Sequence, residues 1–159
     1  MIGMQRILIY GNSGSGKTTL ASQLSAQHEL VVLDLDTITW KPDVPGVRLA
    51  LADSLKQLED FISTNEQWII EGCYGSLIEQ ASAYCTELIF LHPGVDKCLS
   101  NNLKRPWEAH KYPSLEAQNK NLAFLQQWVR DYYTRDDEYS YPFHQRIYAQ
   151  FAGPKQLIS

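Results

Sequence analysis

Eight consecutive residues near the start of the chain, Gly11-Asn12-Ser13-Gly14-Ser15-Gly16-Lys17-Thr18, concentrate the residue types that hold a phosphate. Glycines allow backbone conformations that a Cβ forbids, so successive N–H groups can curl around an anion. The spacing G-x-x-x-x-G-K-T sets a lysine against the terminal phosphates of a nucleoside triphosphate and a threonine hydroxyl against Mg²⁺. The flanking sequence has the form this chemistry needs. Ile7-Leu8-Ile9-Tyr10 reads as a buried strand before the loop. Thr18 to Gln27 reads as a helix after it, with Leu20, Ala21 and Leu24 at helical spacing. That helix directs its first amides and its dipole at the same anion. Gly11 through Thr19 are therefore expected to cradle Mg-ATP, with Lys17 on the terminal phosphates and Thr18 on the metal.

A second set of reactive groups lies at Asp34-Leu35-Asp36, directly after the apolar run Leu30-Val31-Val32-Leu33. Read as a buried strand that continues into this triplet, the run puts both carboxylates on one side. At the C-terminal edge of a parallel sheet they face the crevice where ligands bind. Asp34 is expected to hold the Mg²⁺ shell, and Asp36 to orient or deprotonate an acceptor hydroxyl. Glu71-Gly72 ends another apolar run, Trp68-Ile69-Ile70. Glu71 is placed to support the metal, and Gly72 to let an acceptor approach the backbone. Arg48 can hold an anionic acceptor, with Trp40 and Tyr74 as pocket walls. Arg105 is expected to act as a lid cation, neutralising charge on the transferring phosphoryl group. Arg130 and Arg135 are secondary candidates for that role.

The elements that must position these groups alternate along the chain. Helices are expected over Leu49 to Ile62, Ser76 to Ala83, Val95 to Lys104, Glu116 to Tyr133 and Tyr141 to Phe151. In the first, Leu51, Leu55, Leu58, Phe61 and Ile62 share one face. In the third, Leu99 and Leu103 are expected to face inward. Strands are expected at Glu87 to Leu91 and Lys155 to Ile158. This alternation predicts an α/β fold with a parallel sheet and helices on both faces. The polar, basic and proline-containing segment 104–114 reads as a mobile lid-like insertion in one domain spanning residues 1–159.

The chain has 159 residues, enough for a single domain. Hydrophobic residues make up 44% and charged residues 20%, which argues against extended disorder. A formal net charge of −4 disfavours non-specific nucleic-acid binding. The three cysteines include no C-x-x-C pair, so a reduced cytoplasmic protein is expected rather than a disulfide or zinc scaffold. No apolar run approaches the roughly 20 residues that span a bilayer. The aromatic-rich C-terminal half has few interleaved basic residues and fits core packing or a homodimer surface. His28, His92 and His144 have no metal-ligand spacing.

The chain resembles the small nucleoside-monophosphate-kinase-type P-loop group, which includes adenylate and shikimate kinases. The likeness is nearest to bacterial proteins labelled "DNA topology modulation" or adenylate-kinase-related. It is carried by the strand and G-x-x-x-x-G-K-T start, by Leu35-Asp36 to Trp40-Lys41-Pro42, and by Trp68-Ile69-Ile70-Glu71-Gly72-Cys73-Tyr74. It runs over most of residues 5–105. It implies a three-layer fold with a five-stranded parallel sheet of order 2-3-1-4-5, and phosphoryl-transfer chemistry. Gly153-Pro154 resembles the loop that borders the adenine in such kinases. Two features depart from the pattern. The lid offers only Lys104 and Arg105, with His110 and Lys111 further on. Glu71 to Gly75 also replaces the glycine-rich stretch of shikimate kinases.

A GTPase is disfavoured. Asp43 to Gly46 matches D-x-x-G in spacing, but no strand precedes it, and Asn119-Lys120-Asn121-Leu122 does not complete N-K-x-D. The expectation is an enzyme that transfers the γ-phosphate of Mg-ATP to a small molecule or nucleotide. The alternative is a nucleotide-dependent regulatory ATPase that acts through a protein partner.

Overall fold

A computed structural model describes residues 4–41, 43–44, 47–109 and 112–159. Pro42, Pro45 and Gly46 of the loop segments, and His110 and Lys111 of the lid, lie outside the described residues.

Five short strands form one parallel sheet: β1 (Arg6–Gly11), β2 (Val31–Asp34), β3 (Trp68–Gly72), β4 (Glu87–Leu91) and β5 (Lys155–Ile158). Their order is β2-β3-β1-β4-β5, as the resemblance implied. The side chains of β1 alternate between two cores, as a strand covered on both faces requires. Ile7 and Ile9 pack with Ile69, Ile89 and Leu91 under Ala21 of α1 (Lys17–His28). Leu8 and Tyr10 pack with Trp68, Ile70, Leu88 and Phe90 on the other face. That second face is covered by α3 (Leu51–Thr64), α4 (Gly75–Ser82) and α7 (Tyr141–Gln150) through Leu58, Leu77, Ile78, Ala81 and Ile147. The remaining elements are α2 (Asp36–Thr39), α5 (Val95–Leu103), α6 (Leu115–Arg130) and a 3-10 turn, Asp131–Tyr133.

Several expectations are corrected. β2 is an edge strand, so Val31 and Val32 are exposed rather than buried. It ends at Asp34, and Asp36 opens the one-turn helix α2 instead of continuing the strand. Leu103 does not face inward: it is 63% exposed, and the buried stripe of α5 is Cys98 and Asn102, four residues apart. Leu51 is likewise exposed, while Ser54 takes a buried place on α3 and donates to Ile38 O at 2.7 Å. The C-terminal aromatics Tyr139, Tyr141, Phe143, Tyr148 and Phe151 pack against the second core.

His144 is the polar node of that core. It is fully buried, with Nε2 2.9 Å from Cys73 O and Nδ1 2.7 Å from the Tyr132 hydroxyl. A carbonyl can only accept, so Nε2 carries the proton and Nδ1 accepts from Tyr132. Tyr10 donates to His144 O, which ties α7 to the central strand. Burial lowers the His144 pKa from 6.5 to about 3. His92 is shifted in the same direction for the same reason.

The folded protein thus refuses a proton that the unfolded chain accepts below about 6.5. This contribution to stability is complete above that pH and is lost as the pH falls toward 3. Glu138, held below the usual carboxylate range, loses its contribution only at still lower pH than the start of this window. Urea unfolding at pH 6.5 and pH 5 is expected to show a loss approaching about 1.4 kcal/mol per pH unit from His144. His144→Gln is expected to flatten that dependence; an unchanged slope in the variant contradicts the assignment.

Candidate functional site: a phosphate cradle beside an acidic and aromatic wall

The loop after β1 reverses direction through glycines at two positions where no other residue fits well. Gly14 has φ +83°, and a Cβ there would lie 2.4 Å from Cys98 O. Gly16 has φ +97° but open space around it. Gly16 is the N-cap of α1 and supplies no side-chain cap. The first amides of α1, from Lys17, Thr18 and Thr19, have no intrahelical acceptor and so are directed at whatever occupies the loop. Ser15 Oγ is buried without a partner among the described residues, as suits a turn shaped for an external acceptor.

The carbonyls of the same loop are tied off from outside. Ser15 N and Lys17 Nζ both donate to Asn12 O, at 3.1 and 2.8 Å. Asn101 Nδ2 donates to Gly14 O at 2.7 Å, and Asn102 Nδ2 to Ser13 O at 3.3 Å. Asn12 uses its own side chain twice. Its Oδ1 accepts from Ser13 N, and its Nδ2 donates to Val129 O of α6. Asn101 and Asn102 had no assigned part in the sequence reading. The available signal was the i,i+4 spacing of Cys98 and Asn102, which puts a polar side chain on an inward-facing stripe.

Thr18 Oγ1 lies 3.5 Å from Glu71 Oε1, at the long limit of a hydrogen bond. Glu71 is buried at the end of β3, in register with Ile9 on one side and Asp34 on the other. Strand alternation sets Glu71 on the α1 face with Ile69. Asp34 lies beside it, and its Oδ1 accepts from Asp36 N at 2.9 Å. Thr18, Glu71 and Asp34 therefore share one edge of the cradle. That donor set, a hydroxyl and carboxylates, fits a hard cation such as Mg²⁺. Among the described residues no group of three or more His, Cys, Asp or Glu side chains is arranged to hold a metal by itself. Mg²⁺ in phosphate sites is bound largely through phosphates and water.

Asp36 points the other way, which corrects the expectation of two carboxylates on one side. Leu35 and Ile38 are buried in the second core, and Thr39 Oγ1 donates to Leu35 O at 2.6 Å, which fixes the single turn of α2. Asp36 Oδ1 accepts from the Tyr74 hydroxyl, and Tyr74 in turn accepts from Trp40 Nε1 at 2.9 Å. Burial raises the Tyr74 pKa, and nearby Cys73 and Asp36 add to the effect, so the phenol stays protonated and donates. Gly72 leaves no room for an acceptor: the space where its Cβ would stand is filled by Leu35, whose nearest atom is at 2.8 Å.

Arg48 faces this wall. It stacks against the Tyr74 and Tyr139 rings, at 5.5 and 5.6 Å from their centroids. Its Nη1 lies 2.6 Å from Glu138 Oε1 and also donates to the Tyr139 hydroxyl. Burial opposes the Arg48 charge, but the hydrogen bond and the charges of Glu138 and Tyr139 more than offset it, leaving the pKa raised. Arg135 is stacked 4.1 Å over Trp128 and ion-paired with Asp137 at 3.1 Å. Arg105 is paired with Glu108 at 3.6 Å, three residues beyond Asn102. Arg130 is exposed at the end of α6. The described part of segment 104–114 is fastened to α6: Gln118 bonds Glu108 N and Pro106 O, and Asn121 bonds the Tyr112 hydroxyl.

Gly153-Pro154 is displaced from its expected role. It precedes β5, and Pro154 O accepts from Leu88 N at the start of β4. In an all-parallel sheet this is the edge opposite the phosphate cradle.

A strand, a glycine loop with lysine and threonine, a helix and the sheet order together define a P-loop α/β fold. Residues 7–115 match the family described as AAA domain, and the chain belongs to it. No curated protein matches the sequence. Among solved structures, a shikimate kinase from Bacteroides thetaiotaomicron is 17% identical with a TM-score of 0.58. That match covers 91% of this chain and 84% of the other. A gluconokinase from Sinorhizobium meliloti is 15% identical with a TM-score of 0.56, covering 98% and 83%. A deoxyadenosine kinase from M. mycoides with bound dATP is 12% identical with a TM-score of 0.53, covering 98% and 91%. At these identities the likeness establishes a shared fold.

The two glycines separate backbone strain from steric exclusion. Gly16→Ala is expected to cost about 1–3 kcal/mol through its backbone conformation alone. Gly14→Ala is expected to cost more, because the Cys98 carbonyl must also move. Urea denaturation of both variants checks the order; equal losses would remove the role given to the α5 contact.

Proposed function

We propose that the protein is a kinase that transfers the γ-phosphoryl group of Mg-ATP to a hydroxyl of a small acceptor. The observation that carries this reading is the arrangement of two different carboxylate environments along one sheet edge. Glu71 and Asp34 stand with Thr18 beside the cradle, while Asp36 is oriented by Tyr74 toward the aromatic wall. P-loop proteins that only bind nucleotide need the first environment and not the second. The kinases that share this fold, acting on shikimate, gluconate and deoxyadenosine by their names, support the same reading. The further likeness to "DNA topology modulation" proteins rests on the Leu35–Pro42 and Trp68–Tyr74 segments.

In this reading the amides of Gly14 to Thr19 and the Lys17 ammonium bind the phosphates. Thr18, with Asp34 and Glu71, would hold a Mg²⁺ ion, which would supply neutralisation of the phosphate charge. Asp36 accepts the proton of the acceptor hydroxyl as its oxygen bonds the γ-phosphorus. The bond from γ-phosphorus to the β–γ bridging oxygen breaks, leaving ADP and a phosphate ester. Tyr74 keeps the Asp36 carboxylate aimed, and Arg105 closes over the transferring group from the lid.

The test is ADP release with ATP and a broad set of hydroxyl compounds, alongside direct ATP binding by calorimetry. Tight ATP binding with no acceptor-dependent ADP release would sink the kinase reading. Lys17→Met is expected to weaken ATP binding at least tenfold. Asp36→Asn is expected to lower kcat by about 10²- to 10⁴-fold with ATP affinity retained. Parallel loss of ATP affinity in Asp36→Asn would remove it from the acceptor side.

A further inference from the structure

The wall that surrounds Asp36 is rich in aromatic rings, and its guanidinium groups are already matched with carboxylates. Arg48, the cation beside Tyr74, lies 2.6 Å from Glu138. Glu138 is not a loose surface acid that could swing aside. Its Oε2 accepts from Ser76 N at 3.2 Å, and its backbone carbonyl accepts from Gly75 N at 3.1 Å, so it is fastened to the start of α4. Arg48 is also clamped, between the Tyr74 and Tyr139 rings. Further along, Trp128 packs 5.5 Å from Tyr139 and carries Arg135, which Asp137 pairs and whose Nη1 donates to Trp128 O. Arg135 Nη2 has no hydrogen-bond partner among the described residues, but it is buried out of reach of solvent. Lys41, next to Trp40, is exposed, where water and salt screen its charge.

Three carboxylates (Asp36, Glu138, Asp137) thus stand with two arginines along this wall. An acceptor bearing a phosphate or carboxylate would meet guanidinium groups already paired with carboxylates and no surplus of positive charge. It would bind only by displacing a fastened glutamate. Aromatic faces and hydrogen-bonding side chains suit a different ligand, one with a ring and hydroxyl groups.

We propose that the acceptor is an uncharged, hydroxyl-bearing ring compound, a sugar or a nucleoside, and that Glu138 sets this preference by holding Arg48 in an ion pair. The inference rests on the kinase reading for the word acceptor, and on the geometry alone for the charge preference. Glu138 is a specificity-determining residue: it acts on the ligand through Arg48.

The decisive experiment measures binding, which does not depend on turnover. Shikimate and AMP serve as anionic probes, with methyl shikimate and adenosine as their uncharged counterparts, by calorimetry on the full chain. Glu138→Gln keeps the acceptor for Ser76 N but releases the Arg48 charge. It is expected to bind shikimate or AMP at least tenfold more tightly than the unaltered protein does, and the double variant with Arg48→Gln is expected to lose that gain. No gain in Glu138→Gln overturns the proposal, as does a gain that survives in the double variant. If Glu138→Gln fails to fold, the unaltered protein decides. Tighter binding of adenosine than AMP, or of methyl shikimate than shikimate, supports the proposal, and equal or tighter binding of the anions overturns it. A tenfold gain without ADP release from any of the four compounds would leave the charge preference standing and count against the kinase reading alone.

Discussion

A loop that binds an anion with its amides must turn its carbonyls outward, and each of those carbonyls then needs a donor. The rest of this structure can be read as the supply of those donors. Asn12 O takes the Ser15 amide and the Lys17 ammonium, Ser13 O takes Asn102, and Gly14 O takes Asn101. Two of these donors come from α5, which is why α5 buries a polar residue, Asn102, near its C-terminal end and why Gly14, against Cys98 O, has no room for a Cβ. Asn12 closes the circuit by reaching Val129 on α6. The cradle is therefore not a property of eight residues. It is held by α5 and α6, which follow β4, at separations of 87 and 89 residues for the α5 contacts and 117 for the α6 contact.

The sheet separates the two halves of the site by face and by strand. The cradle, Thr18 and Glu71 sit on the α1 side of the central strands. Asp36, Tyr74 and Arg48 sit toward the second core, where α2 turns away from the edge strand. That separation suits two ligands that must meet at one point but are recognised by unlike chemistry. In the proposed kinase, the phosphate half relies on backbone amides and a lysine. The other half relies on side chains fixed by one another, with Trp40 bonded to Tyr74 and Tyr74 to Asp36, and with Arg48 held by Glu138 and Tyr139.

The strands and the phosphate loop were legible from residues because each is a local pattern, whereas the strand order followed from the family resemblance. Apolar runs mark the strands, and the glycine spacing marks the loop. What escaped notice depends on pairing over long separations. Glu138 sits in an Asp-Asp-Glu run that reads as a solvated charge cluster, and only the fold brings it to Arg48, ninety residues earlier. His144 carries no local sequence signal, because its partners in the fold are a distant backbone carbonyl, Cys73 O, and the Tyr132 hydroxyl. The Asp34–Asp36 error has a simple cause. The strand's period does not continue past Asp34, because its side chain accepts from the Asp36 amide two residues on and turns the chain. Gly153-Pro154 already reads from the sequence as preceding the last strand, and in a parallel sheet that position lies at the edge opposite the loop that follows β1.

The bond from Trp40 to Tyr74 has a consequence for observing the molecule. The Trp40 indole is 38% exposed, yet its N–H is committed to the phenol that orients Asp36. Any compound that settles against Asp36 must change either the water around that indole or the acceptor at its nitrogen. Indole emission responds to both. The protein thus carries an optical reporter within two residue contacts of its proposed reaction centre, built from its own side chains and requiring no label.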